Sequence, residues 1–158
     1  HYWFADQLKK RGHEVTVFCA NTYLNGEYAI ALEKEKFAIR ELDDIPFVFV
    51  KTITSQGNGI DRIKNMGFFY KNLFPSTKAY AKKYGKPDVI VASSVHPLTM
   101  IAGIQIGKKM QVPSPPVRQA STSKPRQHLS RYRHWFLSPR PLPRVILHLF
   151  HLSPHPKS

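Results

Sequence analysis

The sequence predicts an α/β domain with a mostly parallel sheet over residues 1–112. Three observations carry this. A helical segment, a glycine and a short apolar strand follow one another at the start of the chain. A second apolar strand, Pro87–Ser94, runs straight into a helix that opens with a proline. Strands and helices alternate in between, as parallel sheets require. The chain has 158 residues, 42% hydrophobic and 12% aromatic, enough to bury a core. Its 24 Lys+Arg against 10 Asp+Glu give a net charge of +14, which first suggests nucleic acid or an anionic membrane as partner. The single cysteine, Cys19, excludes a disulfide framework and a paired-cysteine metal site. No apolar run reaches the eighteen residues of a membrane span, and residues 1–11 lack the apolar stretch of a signal peptide. A cytoplasmic, strongly basic protein is the expectation.

The elements follow in order. His1–Arg11 reads as a helix, with Phe4, Ala5 and Leu8 on one face and Lys9, Lys10 and Arg11 suited to its C-terminal dipole. Gly12 stands at the C-cap. Glu14–Ala20 is a nearly continuous apolar strand of the kind buried on both faces. Helix, glycine and strand make half of a βαβ unit, and no strand stands before the helix. Residues 21–36 are expected to be a loop with a short helical stretch around Ala29–Lys36. Phe37–Leu42 and Ile45–Lys51 flank Asp43-Asp44 and predict a hairpin. Ser55–Gly59 is expected to be a loop using positive φ. Ile60–Lys83 is helical in pattern, with a break or kink expected near Pro75. Its Lys64, Lys71 and Lys78 recur every seven residues near Phe68, Phe69, Leu73 and Phe74. That stripe reads either as a solvated face over a core-facing side or as a basic, aromatic face for anionic lipid. Pro87–Ser94 is the second buried strand, and Pro97 suits the first helical position of Leu98–Met110.

After Val112 the composition changes. Residues 113–158 carry eight basic residues, no acid and no glycine, with nine of the 13 prolines. They are expected to form a non-globular basic tail, separate from a folded unit of residues 1–112.

Ligands in such sheets bind beyond the carboxyl ends of the strands, which directs attention to Ser94 and His96. An imidazole at a strand-to-helix junction can donate to or accept from a substrate hydroxyl, although a lone histidine is more often structural. Gln56-Gly57-Asn58-Gly59 could offer backbone N–H groups to an anion, with Arg62 one helical turn on; the alternative is a simple turn beside a surface arginine. Asp88 is expected to hydrogen-bond a neighbouring segment, and Cys19 to lie in the core. No Walker loop, GxGxxG, HExxH or GxSxG occurs. His148, His151 and His155 would share a face only if their segment were helical, which Pro154 opposes, so no metal is expected.

Several segments in series resemble one family. His1-Tyr-Trp-Phe-Ala-Asp-Gln-Leu-Lys-Lys-Arg-Gly-His-Glu-Val-Thr-Val17 looks like the first helix and second strand of family 4 glycosyltransferases. Gln56–Arg62 with Asn65 resembles a motif of their polysaccharide-biosynthesis branch, and Pro87–Thr99 is similar to that branch's PDVIIASSPHPLT stretch, with Val95 where proline is usual. The resemblance covers residues 1–112. It implies the Rossmann-like, acceptor-side half of a GT-B fold. The implied activity is retaining transfer of a sugar from a nucleotide-sugar, a substrate rather than a resident cofactor, to a glycan acceptor, often lipid-linked, in capsule or O-antigen assembly. In that scheme His96 sits near the transferred sugar, and Gly57, Asn58, Gly59, Arg62, Asn65 and Ser94 belong to the acceptor side.

Two departures accompany it. The first strand with its Gly-rich loop is absent, and so is the donor-binding domain, which implies that this chain alone is inactive. Where the family continues with a strand and E-V-R-D-L-W-P, this chain has Ser114-Pro-Pro-Val-Arg-Gln119, as a shift of reading frame near Val112 would produce. Prolines 115 and 116 would also prevent a central strand there. The alternative function is a non-catalytic basic module that binds nucleic acid or anionic membrane through residues 113–158. The cation–aromatic mixture Arg131-Tyr-Arg-His-Trp-Phe136 would serve it, although nucleic acid is the less expected partner.

Overall fold

The computed structural model describes residues 2–23, 25–54, 59–93, 97–117 and 144–148. The elements are α1 (Tyr2–Lys10), β1 (Glu14–Ala20), β2 (Phe37–Leu42), β3 (Ile45–Val50), α2 (Ile60–Tyr84), β4 (Val89–Ser93), α3 (Pro97–Met110), β5 (Pro116–Val117) and β6 (Arg144–His148). They form an α/β fold around one six-stranded sheet of order β2-β3-β1-β6-β4-β5. All neighbours are parallel except the edge pair β2–β3.

Local chemistry explains most boundaries. Gly12 closes α1 at φ 83°, while its N–H donates to Lys9 O and that of His13 donates to Leu8 O, the paired bonds of a Schellman end. Asp43 and Asp44 turn the hairpin with both φ positive, at 50° and 56°. Two-residue hairpins of matching twist require this, and aspartate tolerates it. The expected helix within 29–36 does not form. Asn21 instead ties down the start of that segment, its backbone carbonyl taking the Ala29 N–H and its side-chain amide donating to Ile30 O. Pro75 lies inside α2, which continues unbroken to Tyr84. Proline removes one N–H from the ladder, and Ser76 Oγ donates to Asn72 O beside it.

The sheet is packed on both faces. On one face α1 contributes Ala5 and Leu8 over Val17, Cys19, Phe47, Val91 and Val145. Burial there raises the Cys19 thiol pKa far above its ordinary value. On the other face α2 and α3 contribute Phe69, Leu73, Tyr80, Ala102 and Ile106 over Phe18, Val48, Ile90 and Ile146. The aromatic cluster expected along α2 is therefore divided. Phe69 and Leu73 are in the core, whereas Phe68 faces outward at 46% exposure.

The largest departure from expectation is β6. The sequence sets residues 113–158 apart from the fold, yet Arg144–His148 is a central strand, parallel to β1 on one side and β4 on the other. It fills the place between β1 and β4 in the middle of the sheet. Val145 and Ile146 alternate between the two cores, each with no exposed surface. Without β6, the facing N–H and C=O groups of β1 and β4 would lose their partners inside a covered sheet. Arg144 anchors the strand's start. Its N–H donates to Asp88 Oδ2 at 2.7 Å, its carbonyl accepts from Asp88 N at 2.9 Å, and its Nε donates to Glu14 Oε2 at 2.7 Å. A second guanidinium nitrogen donates to Tyr84 O, passing over Gly85, where a Cβ would press on the guanidinium and the φ of 99° favours glycine. Pro116 begins β5 at the sheet's edge, the place where a strand proline is tolerated.

Candidate functional site at the carboxyl edge

Because β1, β3, β4 and β6 are parallel, their carboxyl ends share one edge of the sheet. Asn21 and Thr22 leave β1 there, and Lys51, Thr52 and Ile53 leave β3. β4 ends at Ser93 and α3 starts at Pro97 on the same edge. Ser94 and His96 stand between them in sequence and lie outside the described residues, as do Gly57 and Asn58.

The edge is organised by buried polar side chains that sequence reasoning missed. Asn21 Oδ1 accepts from the Thr52 N–H at 2.8 Å and from Thr52 Oγ1 at 2.9 Å. The Thr22 and Thr52 hydroxyls lie 3.1 Å apart. Asn65 Nδ2 donates to Thr22 Oγ1 at 3.3 Å and to Ile53 O, and Asn72 Nδ2 donates to Lys51 O at 2.8 Å. Two asparagines one helical stretch apart thus clamp α2 onto the ends of β1 and β3. Both ends of the 54–59 segment are held in this way. Asn21, Thr22 and Thr52 are nearly fully buried, and their only sequence signal is a run of small amides and hydroxyls just after strands.

The sequence-predicted residues are brought together only in part. Asn65 has no exposed surface and spends its amide hydrogens inside the network. It therefore positions the edge rather than touching an acceptor. Its Oδ1 is buried without a hydrogen-bond partner. Arg62 is half-buried on the first turn of α2, and its N–H donates to Gly59 O at 3.1 Å. Gly59 caps α2 at φ −91° and a Cβ there would meet nothing within 4 Å, so the positive φ expected of this loop is not used at Gly59. Asp61 occupies the first turn 3.6 Å from Lys64. A carboxylate there suits the helix dipole but disfavours a second anion.

The opposite edge carries a cleft of about 330 Å³ lined by Lys9, His13, Asp44, Tyr80, Tyr84 and Arg144, among others. Its charges are largely matched to each other. Lys9 pairs with Asp44 at 3.2 Å and Arg144 with Glu14. Burial, and secondarily Arg11, lowers the His13 pKa below its usual value, favouring the neutral ring.

Among the described residues no group of three His, Cys, Asp or Glu side chains could hold a metal ion. Nor is any helix there long and apolar enough to cross a membrane. Compared with protein-family models, curated proteins and solved structures, the chain matches none.

Proposed function

We propose that the chain is the acceptor-side, Rossmann-like portion of a retaining glycosyltransferase of surface-polysaccharide assembly. In this reading it works at the cytoplasmic face of the membrane and is inactive without a donor-binding domain. The observation that carries the reading is the convergence on one sheet edge of the chain ends that bound both resembling motifs. The 54–59 segment enters from β3 and leaves into α2, and the Ser94–His96 segment joins β4 to α3. The order β3-β1-β6-β4-β5, with β6 in the first-strand place, also supports a Rossmann-like arrangement. Arg62, at the start of α2, is the cation suited to a diphosphate-linked glycan. His96 is the group suited to a sugar hydroxyl near the transferred residue.

The test is NMR titration of the full chain with an undecaprenyl-type diphosphate-linked disaccharide in detergent, and separately with nucleotide-sugars. The expected result is saturable shifts confined to residues 54–65 and 93–99 with the acceptor. Arg62→Ala should weaken binding about tenfold, and no sugar should be transferred. Shifts confined to other regions, or no acceptor binding, would overturn the acceptor-side reading. Turnover with any nucleotide-sugar would overturn the inactivity. The alternative, a basic arm, is weakened by Arg144, whose guanidinium is committed to Glu14 and Tyr84 within the sheet.

A further inference from the structure

The cleft of about 330 Å³ at the amino edge of the sheet has hydrogen-bonding capacity that its own residues do not use. It forms where α1 and α2 end, at Lys10 and Tyr84, and where β1 and β6 start, at Glu14 and Arg144. At its floor Thr16 Oγ1 and Tyr80 Oη lie 2.7 Å apart, and the two residues are only 4% and 6% exposed. Two hydroxyls hold two hydrogens and share one bond, so one buried O–H has no acceptor among the described residues. At the rim, Glu14 accepts from Arg144 through Oε2 and Asp44 accepts from Lys9 through Oδ2. The second oxygen of each carboxylate has no donor among the described residues, and these side chains are 64% and 87% exposed. Val15, Pro46 and Tyr84 supply an apolar wall, with the Tyr84 ring centre 4.6 Å from that of Tyr80.

We propose that this cleft binds a neutral saccharide. Its hydroxyls would accept from the Thr16–Tyr80 pair and donate to the two carboxylates, while its C–H face lies along Val15, Pro46 and Tyr84. Charge selects this class of ligand. An anion would meet Glu14, Asp44 and the carbonyl ends of α1 and α2, where the helix dipoles are negative. A cation would meet Lys9 and Arg144, which already answer those carboxylates. What remains is a group that both donates and accepts without charge, and a hydroxyl is such a group. Several hydroxyls on one compact apolar ring match a small cleft with polar groups at floor and rim. The inference is independent of sugar transfer, because the cleft lies at the other end of the strands from Arg62 and Asn65.

NMR titration of the full chain with glucose, galactose, mannose and N-acetylglucosamine tests it. At least one of the four is expected to give saturable shifts at Glu14, Thr16, Asp44 and Tyr80. Glucuronate and glucosamine, an anion and a cation, should bind more weakly than that neutral sugar. Thr16→Val with Tyr80→Phe removes both hydroxyls at nearly constant shape, which leaves stability little changed, and should weaken binding about tenfold. Asp44→Asn should weaken it about threefold, and asparagine tolerates the positive φ of that exposed turn. Thermal melts of both variants establish that the fold is retained. No saturable shift with any of the four sugars, full binding by either variant, or tighter binding of glucuronate or glucosamine would each overturn the site. Shifts at residues 54–65 and 93–99 alone would also overturn it, while leaving the acceptor-side reading in place.

Discussion

Replacing Ile146 by alanine tests the placement of β6 directly. Ile146 pairs in register with Thr16 on one side and Ile90 on the other, and has no exposed surface. Its side chain enters the core beneath α2 and α3, with Phe18, Leu73 and Ile106 in the same cluster. Truncation removes three carbons, about 2.4 kcal/mol at ~0.8 kcal/mol each. The cavity left in a sheet covered by helices raises the expected loss to about 3–4 kcal/mol. For a chain of this length that corresponds to a fall in Tm of roughly 10 °C. The assay is urea and thermal denaturation followed by circular dichroism, with Ile90→Ala as the matched control. Ile90 is equally buried, faces the same core and belongs to a strand read plainly from the sequence. Equal losses from the two substitutions are expected. If Ile90→Ala destabilises while Ile146→Ala stays within about 0.5 kcal/mol of the parent, β6 does not occupy the sheet. Truncation after residue 117 should then also be harmless, whereas the structure requires it to abolish cooperative unfolding.

Asn65→Asp should destabilise more than Asn65→Ala. The alanine variant loses the bonds to Thr22 and Ile53 and is expected to cost about 1–3 kcal/mol. The aspartate variant also places a buried carboxylate against the Ile53 carbonyl. Equal stabilities in urea melts at pH 7 would remove Asn65 from its clamping role. His13 should make stability pH-dependent. Its folded-state pKa is lowered relative to the unfolded chain, so the unfolded state binds the extra proton. Stability then falls as pH drops below about 6.5 toward the lowered value. Subtracting the profile of His13→Gln from that of the parent isolates this slope, and no difference between the profiles would refute it.

The legible parts of the fold were those decided by short-range chemistry. Gly12 after Lys9-Lys10-Arg11, Asp43-Asp44 between two β-rich runs, and Pro97 after Ser93 each announce a boundary through backbone rules that act within a few residues. The loop at 29–36 misled because its helix-forming residues are outweighed by Asn21, whose bonds to Ala29 and Ile30 span eight or nine residues. The carboxyl-edge network was illegible for the same reason at longer range. Asn65 reaches Thr22 across 43 residues, and nothing local distinguishes it from a solvent-exposed asparagine. Arg62 and Asn65 stand three residues apart in the resembling motif, yet one is half-buried on the first turn and the other is sealed in the core.

By itself the sequence determined an α/β fold with a mostly parallel sheet. Alternating apolar strands and helices with capped ends have few other ways to bury their faces. It also located the edge where chemistry is expected. Tertiary structure alone decided that Arg144–His148 belongs to that fold. In composition this segment is a short apolar run inside a proline- and arginine-rich stretch. Its place follows from what the rest of the sheet lacks: β1 and β4 each present a row of backbone groups that need a strand between them, and Arg144–His148 pairs with both in parallel. That demand is a property of the assembled sheet, and no window of the sequence contains it.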